Sequence, residues 1–286
     1  MRILIVIALA LCGCALSPRG PQPMEEVAPQ PAEPSQIIIG ESRRLYSKAL
    51  GEDRTLNIYL PPSYSLGEGR YPVIWLLDGG LDQDFPHIAG LAQYGALTGM
   101  FREAIIVGVE TRDRERELTS PAADPEYRTE FPTHGEAVAF RAFIAREAMP
   151  FIASLYRVSG EDLALGESLA GLFIIESFLK APELFDTAIA ISPSLWWDKG
   201  ALVHNAAADL KQFDRSERKI YLALANEGGE MDAALRSLVD TIRKAKRPGL
   251  DWTFADRKDL THATIYHREA LEALVTTLAP VKQDAR

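Results

Sequence analysis

The chain has 286 residues, enough for one α/β domain with a large core, since a chain of this size buries roughly three quarters of its extended surface. Hydrophobic residues at 47% and charged residues at 25% exclude disorder over the whole length, collagen and coiled coil. A net charge of -9, from 31 Lys and Arg against 40 Asp and Glu, has the wrong sign for counterion release, so no nucleic-acid partner is expected. Both cysteines, Cys12 and Cys14, lie near the N-terminus, which leaves the rest of the chain no disulfide framework and no Cys-based zinc site.

The chain opens with Met1-Arg2 and the apolar run Ile3 to Leu11, too short to span a bilayer and suited to the core of a secretory signal. Leu11-Cys12-Gly13-Cys14 closes this run and resembles the bacterial lipoprotein signal. The resemblance implies removal of residues 1–13, acylation of Cys14, and attachment to a bacterial membrane. Ala15 in place of Asp then implies the outer membrane, on its periplasmic face. Residues 14–35 follow, with six prolines at 18, 21, 23, 29, 31 and 34. This stretch lacks the apolar groups needed to offset ordering, and reads as an extended tether. The domain is expected over 36–286.

Within the domain, apolar β-branched runs alternate with helical periodicity. Arg54 to Leu60 alternates and predicts an early antiparallel strand, ended by Pro61-Pro62. Tyr71 to Leu77 is almost continuously apolar, as for a strand buried on both faces. Ala104 to Val109, Asp162 to Leu165, Thr187 to Ile191, Ile220 to Ala225 and Leu250 to Ala255 complete the strands. Helices are predicted over Gly135 to Tyr156, Leu169 to Lys180, Met231 to Ala245 and Thr264 to Leu278. The alternation predicts an α/β fold: a mostly parallel central sheet with helices on both faces.

Leu165-Gly166-Glu167-Ser168-Leu169-Ala170-Gly171 joins a short strand to a helix, the context that gives a G-x-S-x-G motif meaning. The turn is tight, so the flanking residues must be small. Ser168 then stands at a helix N-terminus as candidate nucleophile, with the Leu169 N–H as first oxyanion donor. Ser168 as a plain helix cap is the simpler alternative. Leu77-Asp78-Gly79-Gly80 follows a central strand, where the N–H of Gly80 or of Leu81 can supply the second donor. In such folds the order is nucleophile, acid, histidine. His87 and His134 precede Ser168, and His204 precedes the strand expected to carry the acid. His262 remains, in the expected loop between last strand and last helix, with His267 inside the helix pattern. The acid should follow Ile220 to Ala225. Glu227 is nearest to that strand end, with Glu230 and Asp259 as alternatives, while Glu230 and Asp232 can instead cap the following helix.

These stretches resemble the esterase family of α/β-hydrolases, in its siderophore-esterase branch of enterobactin and bacillibactin type. The matching segments run in order from YPVIWLLDGG through AIIVGVETRDRERELTSP, the region around Ser168 and PELFDTAIAISPSLWW to LTHATIYHREAL. The resemblance implies ester hydrolysis through an acyl-enzyme, a small-molecule ester substrate and no cofactor. Two departures stand out. Glu167 stands where the family usually has His or another residue, and Ala170 where it usually has Gly. Trp196 and Trp197 are expected near the substrate edge of the sheet, as rings for an aryl or acyl group. The run Glu110 to Glu117 places Arg112, Arg114 and Arg116 as candidate contacts to an anionic substrate, Arg114 foremost. Acyl transfer on the same fold, or a non-catalytic binding lipoprotein, are the competing readings.

Overall fold

The apolar runs become strands because their β-branched and large side chains fill both faces of a sheet. The computed structural model describes residues 35–211 and 217–280. Cys14, the signal segment 1–13 and all but the last residue of the tether lie outside the described residues, and a compact unit spans Ile38–Arg286. The strands are β1 (Glu41–Ser47), β2 (Glu52–Tyr59), β3 (Tyr71–Leu77), β4 (Ile105–Val109), β5 (Val158–Glu167), β6 (Thr187–Ile191), β7 (Arg218–Ala225) and β8 (Leu250–Arg257). They form one eight-stranded sheet in the order β1-β2-β4-β3-β5-β6-β7-β8. β2 pairs antiparallel with β1 and β4, as expected for an early antiparallel strand, and every other pairing is parallel. The C-terminal ends of β3 and β5 to β8 therefore share one edge.

The helices are α1 (Phe85–Thr98), α2 (Arg114–Leu118), α3 (Pro125–Glu130), α4 (Ala137–Phe143), α5 (Met149–Leu155), α6 (Leu169–Lys180), α7 (Trp197–Lys211), α8 (Gly229–Ala245) and α9 (His262–Thr277). Phe85 and Ile88 of α1 and Ile265 and Leu274 of α9 pack on one face, against Ile74, Leu76, Leu163 and Leu165. Phe140 of α4, Phe173 and Phe178 of α6 and Leu238 of α8 pack on the other, against Val73, Trp75 and Ala164. Successive residues of β3 and β5 thus serve opposite layers, as strand geometry requires.

Three departures from the sequence pattern have local causes. The single helix expected over 135–156 is broken by a π turn, Ile144–Ala148, between α4 and α5. Pro150 follows it; its ring lacks an N–H and crowds the carbonyl four residues back, and the wider turn relieves both. The glycines of α1 weaken its helical signal, yet Gly95 is needed, because a Cβ there would meet the Phe101 ring at 2.1 Å. β1 is an edge strand with mostly exposed side chains, so no apolar run announces it. No helix of the described residues is long and apolar enough to cross a membrane.

Candidate active site

β5 ends at Glu167 and α6 begins at Leu169, leaving Ser168 alone in the turn at φ 60° and ψ -120°. A non-glycine residue held there stores on the order of 1–3 kcal/mol of strain. The surroundings hold it: the Ser168 N–H donates to Ile191 O at 3.1 Å, and Ser168 O accepts from the N–H groups of Ser194 and Leu172 at 3.0 and 2.9 Å. A Cβ at Gly166 would lie 2.7 Å from that of Ala170. The elbow therefore has room for one methyl between these two positions, and Ala170 fills it. The Ser168 and Ser194 hydroxyls are 3.2 Å apart. The Leu169 N–H belongs to the first turn of α6 and has no carbonyl four residues back to bond.

Glu227 lies just beyond β7. The Asn226 N–H donates to Leu260 O at 2.8 Å, tying this loop to the one that precedes α9. His262 is the first residue of α9 and not a loop residue as expected. Thr261 and Thr264 form a capping box that starts the helix two positions before the apolar periodicity does. The tie brings the two side chains together, and His262 Nδ1–H donates to Glu227 Oε1 at 2.7 Å. Glu227 is 9% exposed. This hydrogen bond raises the His262 pKa above the ordinary histidine value; burial opposes it, and attraction to Glu227 and Glu167 adds to it.

The other carboxylates are placed otherwise. Glu230 is exposed in the first turn of α8, Asp232 pairs with Arg236 and Lys258 at 2.5 and 2.9 Å, and Asp259 is exposed beside Arg257 at 3.3 Å. His267 is exposed on α9 and stacks on His87, with ring centroids 4.6 Å apart.

The loop after β3 approaches β4 so closely that a Cβ on Gly79 would lie 2.3 Å from Gly108 Cα, and Asn57 Nδ2–H donates to Gly79 O at 2.8 Å. The Gly80 N–H, expected to be free for an oxyanion, instead donates to Gln83 Oε1 at 2.8 Å. Gly80 opens a turn whose fourth residue, Gln83, reaches back to it. Leu81, the alternative donor, stands 61% exposed at the loop tip.

The tryptophan pair divides. Trp197 is 5% exposed and donates its ring N–H to Ser120 O at 3.0 Å, so it has almost no surface for the ligand contact expected of it. Trp196 lines a cavity of about 700 Å³ with Tyr127, Phe131, Val203, Lys199 and Glu230. Both walls spring from the site: Trp196 stands two residues after Ser194, and Glu230 three after Glu227. Arg114 pairs with Asp78 at 2.9 Å, Arg116 with Glu52 and Glu117 at 3.0 Å each, and Arg112 lies 4.0 Å from Glu52. The arginine run is thus faced by carboxylates along its length. Burial pushes the Glu167 carboxyl up to about 7, a perturbation that periodicity does not reveal. Among the described residues, no group of three or more His, Cys, Asp or Glu side chains is placed to hold a metal ion.

Comparison with known proteins bears on the family and the fold. Residues 47–245 match the family model described as "Putative esterase", a span that includes Ser168 and Glu227 and stops before His262. The chain is 31% identical over 267 residues to the ferri-bacillibactin esterase BesA of Bacillus subtilis, covering 85% of this chain and 91% of that protein. It is 24% identical over 263 residues to the siderophore triacetylfusarinine C esterase of Aspergillus fumigatus, covering 85% and 88%. The solved structure of an IroE-like serine hydrolase from Shewanella oneidensis superposes with a TM-score of 0.74 at 27% identity, over 82% of this chain and 78% of that one. The fold is that of the α/β-hydrolases. A sheet of this order, a strained serine at the strand-to-helix elbow and a match over most of the domain converge: the chain belongs to the esterase family.

Proposed function

We propose that the protein is a serine carboxylic ester hydrolase that works through an acyl-enzyme on siderophore-type esters. The observation that carries this reading is the 2.7 Å His262–Glu227 hydrogen bond on the same sheet edge as a serine held in a strained elbow. Ser168 Oγ attacks the ester carbonyl while His262 Nε2 takes its proton. Glu227 holds the Nδ1–H, fixing the tautomer and favouring the imidazolium that forms. The Leu169 N–H and a donor from the loop after β3 face the developing oxyanion. That second donor is the Leu81 N–H, or the Gly80 N–H once Gln83 releases it. His262 then returns the proton to the leaving alcohol, and water reverses the steps to free the acid. The names of the two relatives support a siderophore ester as substrate, and the aromatic wall of Trp196, Tyr127 and Phe131 suits an aryl or acyl group. In the same reading the mature protein is exported and held at the outer membrane by acyl chains on Cys14.

Ser168→Ala tests the reaction. It should lower kcat for aryl esters and siderophore lactones by roughly 10⁴-fold or more and abolish labelling by a fluorophosphonate, with an unchanged circular dichroism spectrum. Activity within about tenfold of the wild type would remove Ser168 from the role of nucleophile.

A further inference from the structure

Glu167 is an ionisable residue of the elbow that the mechanism above leaves unused. Side chains alternate along β5, and Leu163 and Leu165 face α1 and α9. Glu167, two residues further on, faces the same way. Asp84, just before α1, and Tyr266 and His262 of α9 lie within electrostatic reach of it. Its Oε1 is buried and has no hydrogen-bond partner, and the same holds for Tyr266 Oη and His87 Nε2 from the two helices packed on this face. A buried polar atom without a partner costs stability, and one on a carboxylate next to a nucleophile calls for a use.

We propose that Glu167 is a positioning residue for the reaction: it faces His262 from β5 while Glu227 faces it from beyond β7, and its negative charge steadies the imidazolium formed when the ring takes the serine proton. This inference rests on the reading of Ser168, His262 and Glu227 as the reacting set. The groups that act on Glu167 come from four separate segments. Burial pushes its carboxyl up to about 7; His262 of α9 and Arg114 of α2 pull it down, and Asp84, just before α1, and Glu227 push it further up. Asp84 is itself pushed up to about 6, by burial and by Asp78 beyond β3. Tyr266 stays neutral, its pKa raised by burial and by the same carboxylates. His87 of α1 is lowered, by burial and by His267.

Glu167 and His262 consequently titrate as a coupled pair. With one proton between them, the pair divides between neutral acid with free imidazole, which can accept the serine proton, and carboxylate with imidazolium, which cannot. The acid limb of kcat/KM is then broader than a one-proton curve. Once both protons are gone, the charged carboxylate makes His262 the stronger base.

Glu167→Gln keeps the shape and removes the charge. The acid limb should sharpen to a single proton and move to lower pH, and kcat on the alkaline plateau should fall roughly three- to tenfold with KM little changed. The His262 ring, followed by nuclear magnetic resonance, should titrate at lower pH in this variant and in two coupled steps in the wild type. A limb unmoved by Glu167→Gln, or a single-step His262 titration in the wild type, overturns the inference. Ser168→Ala separates the two levels. If it stays active, the underlying reading falls; if it is inactive while the Glu167→Gln limb stays in place, only the role of Glu167 falls.

Discussion

The pH dependence of the proposed reaction resides in His262. The hydrogen bond to Glu227 raises its pKa, so the ring keeps its proton to a higher pH than an ordinary histidine. Only the neutral ring accepts the serine proton. Thus kcat/KM should fall as pH drops through the raised pKa, at a higher pH than for a free imidazole. Glu227→Gln removes the main cause of the shift and should move this limb down while lowering kcat; rates measured from about pH 5 to 9 check it. His262→Ala should lower kcat roughly as far as Ser168→Ala, since the two act as one unit. His267→Ala should leave kcat within about twofold, because its ring is exposed and touches only the His87 ring among the described aromatic contacts. An inactive His267→Ala beside an active His262→Ala would reverse the assignment. Chain order narrows the histidine to His262 and His267 and leaves several carboxylates open as its partner. Proximity to the strand end favours Glu227, and the backbone tie from Asn226 to Leu260 is what brings it to the ring.

At the level of elements, α2 is locked to β2 by a buried ion pair. The Arg54 guanidinium, 1% exposed, meets Glu117, 0% exposed, through two parallel hydrogen bonds of 2.8 Å. The Phe140 and Phe143 rings lie 5.4 and 5.7 Å from it. Glu117→Ala would leave the buried guanidinium only Glu52, at 2.7 Å, and the Glu110 carbonyl, and should cost about 3 kcal/mol, read as a fall in the urea midpoint. Arg114→Ala, on the same short helix but half exposed, should cost less than about 1 kcal/mol. Equal losses would mean that the buried pair does not anchor α2. The alternation of Arg54 to Leu60 predicts a strand, yet nothing local says that Arg54 is buried, because its partner stands 63 residues away. The mixed-sign run Glu110 to Glu117 likewise reads as a solvated face until β2 covers one side of it.

Over the whole molecule, parallel strands gather their C-terminal ends on one edge, and the candidate site is assembled there from five separate connections. Asp78, Ser168 and Ser192, at the ends of β3, β5 and β6, all have positive φ, at 55°, 60° and 42°. Part of the backbone strain thus lies on the edge where the chemistry is proposed, and the buried layers on either side of the sheet hold it in place. The location of the protein is tested at this scale too. With attachment assigned to acyl chains on Cys14, Cys14→Ala should move the protein from the detergent phase to the aqueous phase, or leave it unprocessed. Unchanged detergent partitioning would refute the anchor.

Features that depend on neighbours along the chain are legible in the residues themselves. Continuous apolar runs made strands, small residues around Ser168 permitted the elbow, and the order of nucleophile, acid and histidine followed from the alternation of elements. The tertiary structure alone decided matters between residues distant in sequence. It selected the carboxylate that meets His262, started α9 at that residue and not at Thr264, gave the Gly80 N–H to Gln83, turned Trp197 inward and Trp196 outward, and left Oε1 of Glu167 buried without a partner. The physical reason is that periodicity records which face of an element is apolar, whereas hydrogen-bond partners and the ionisation of a side chain depend on what the opposing element brings to it.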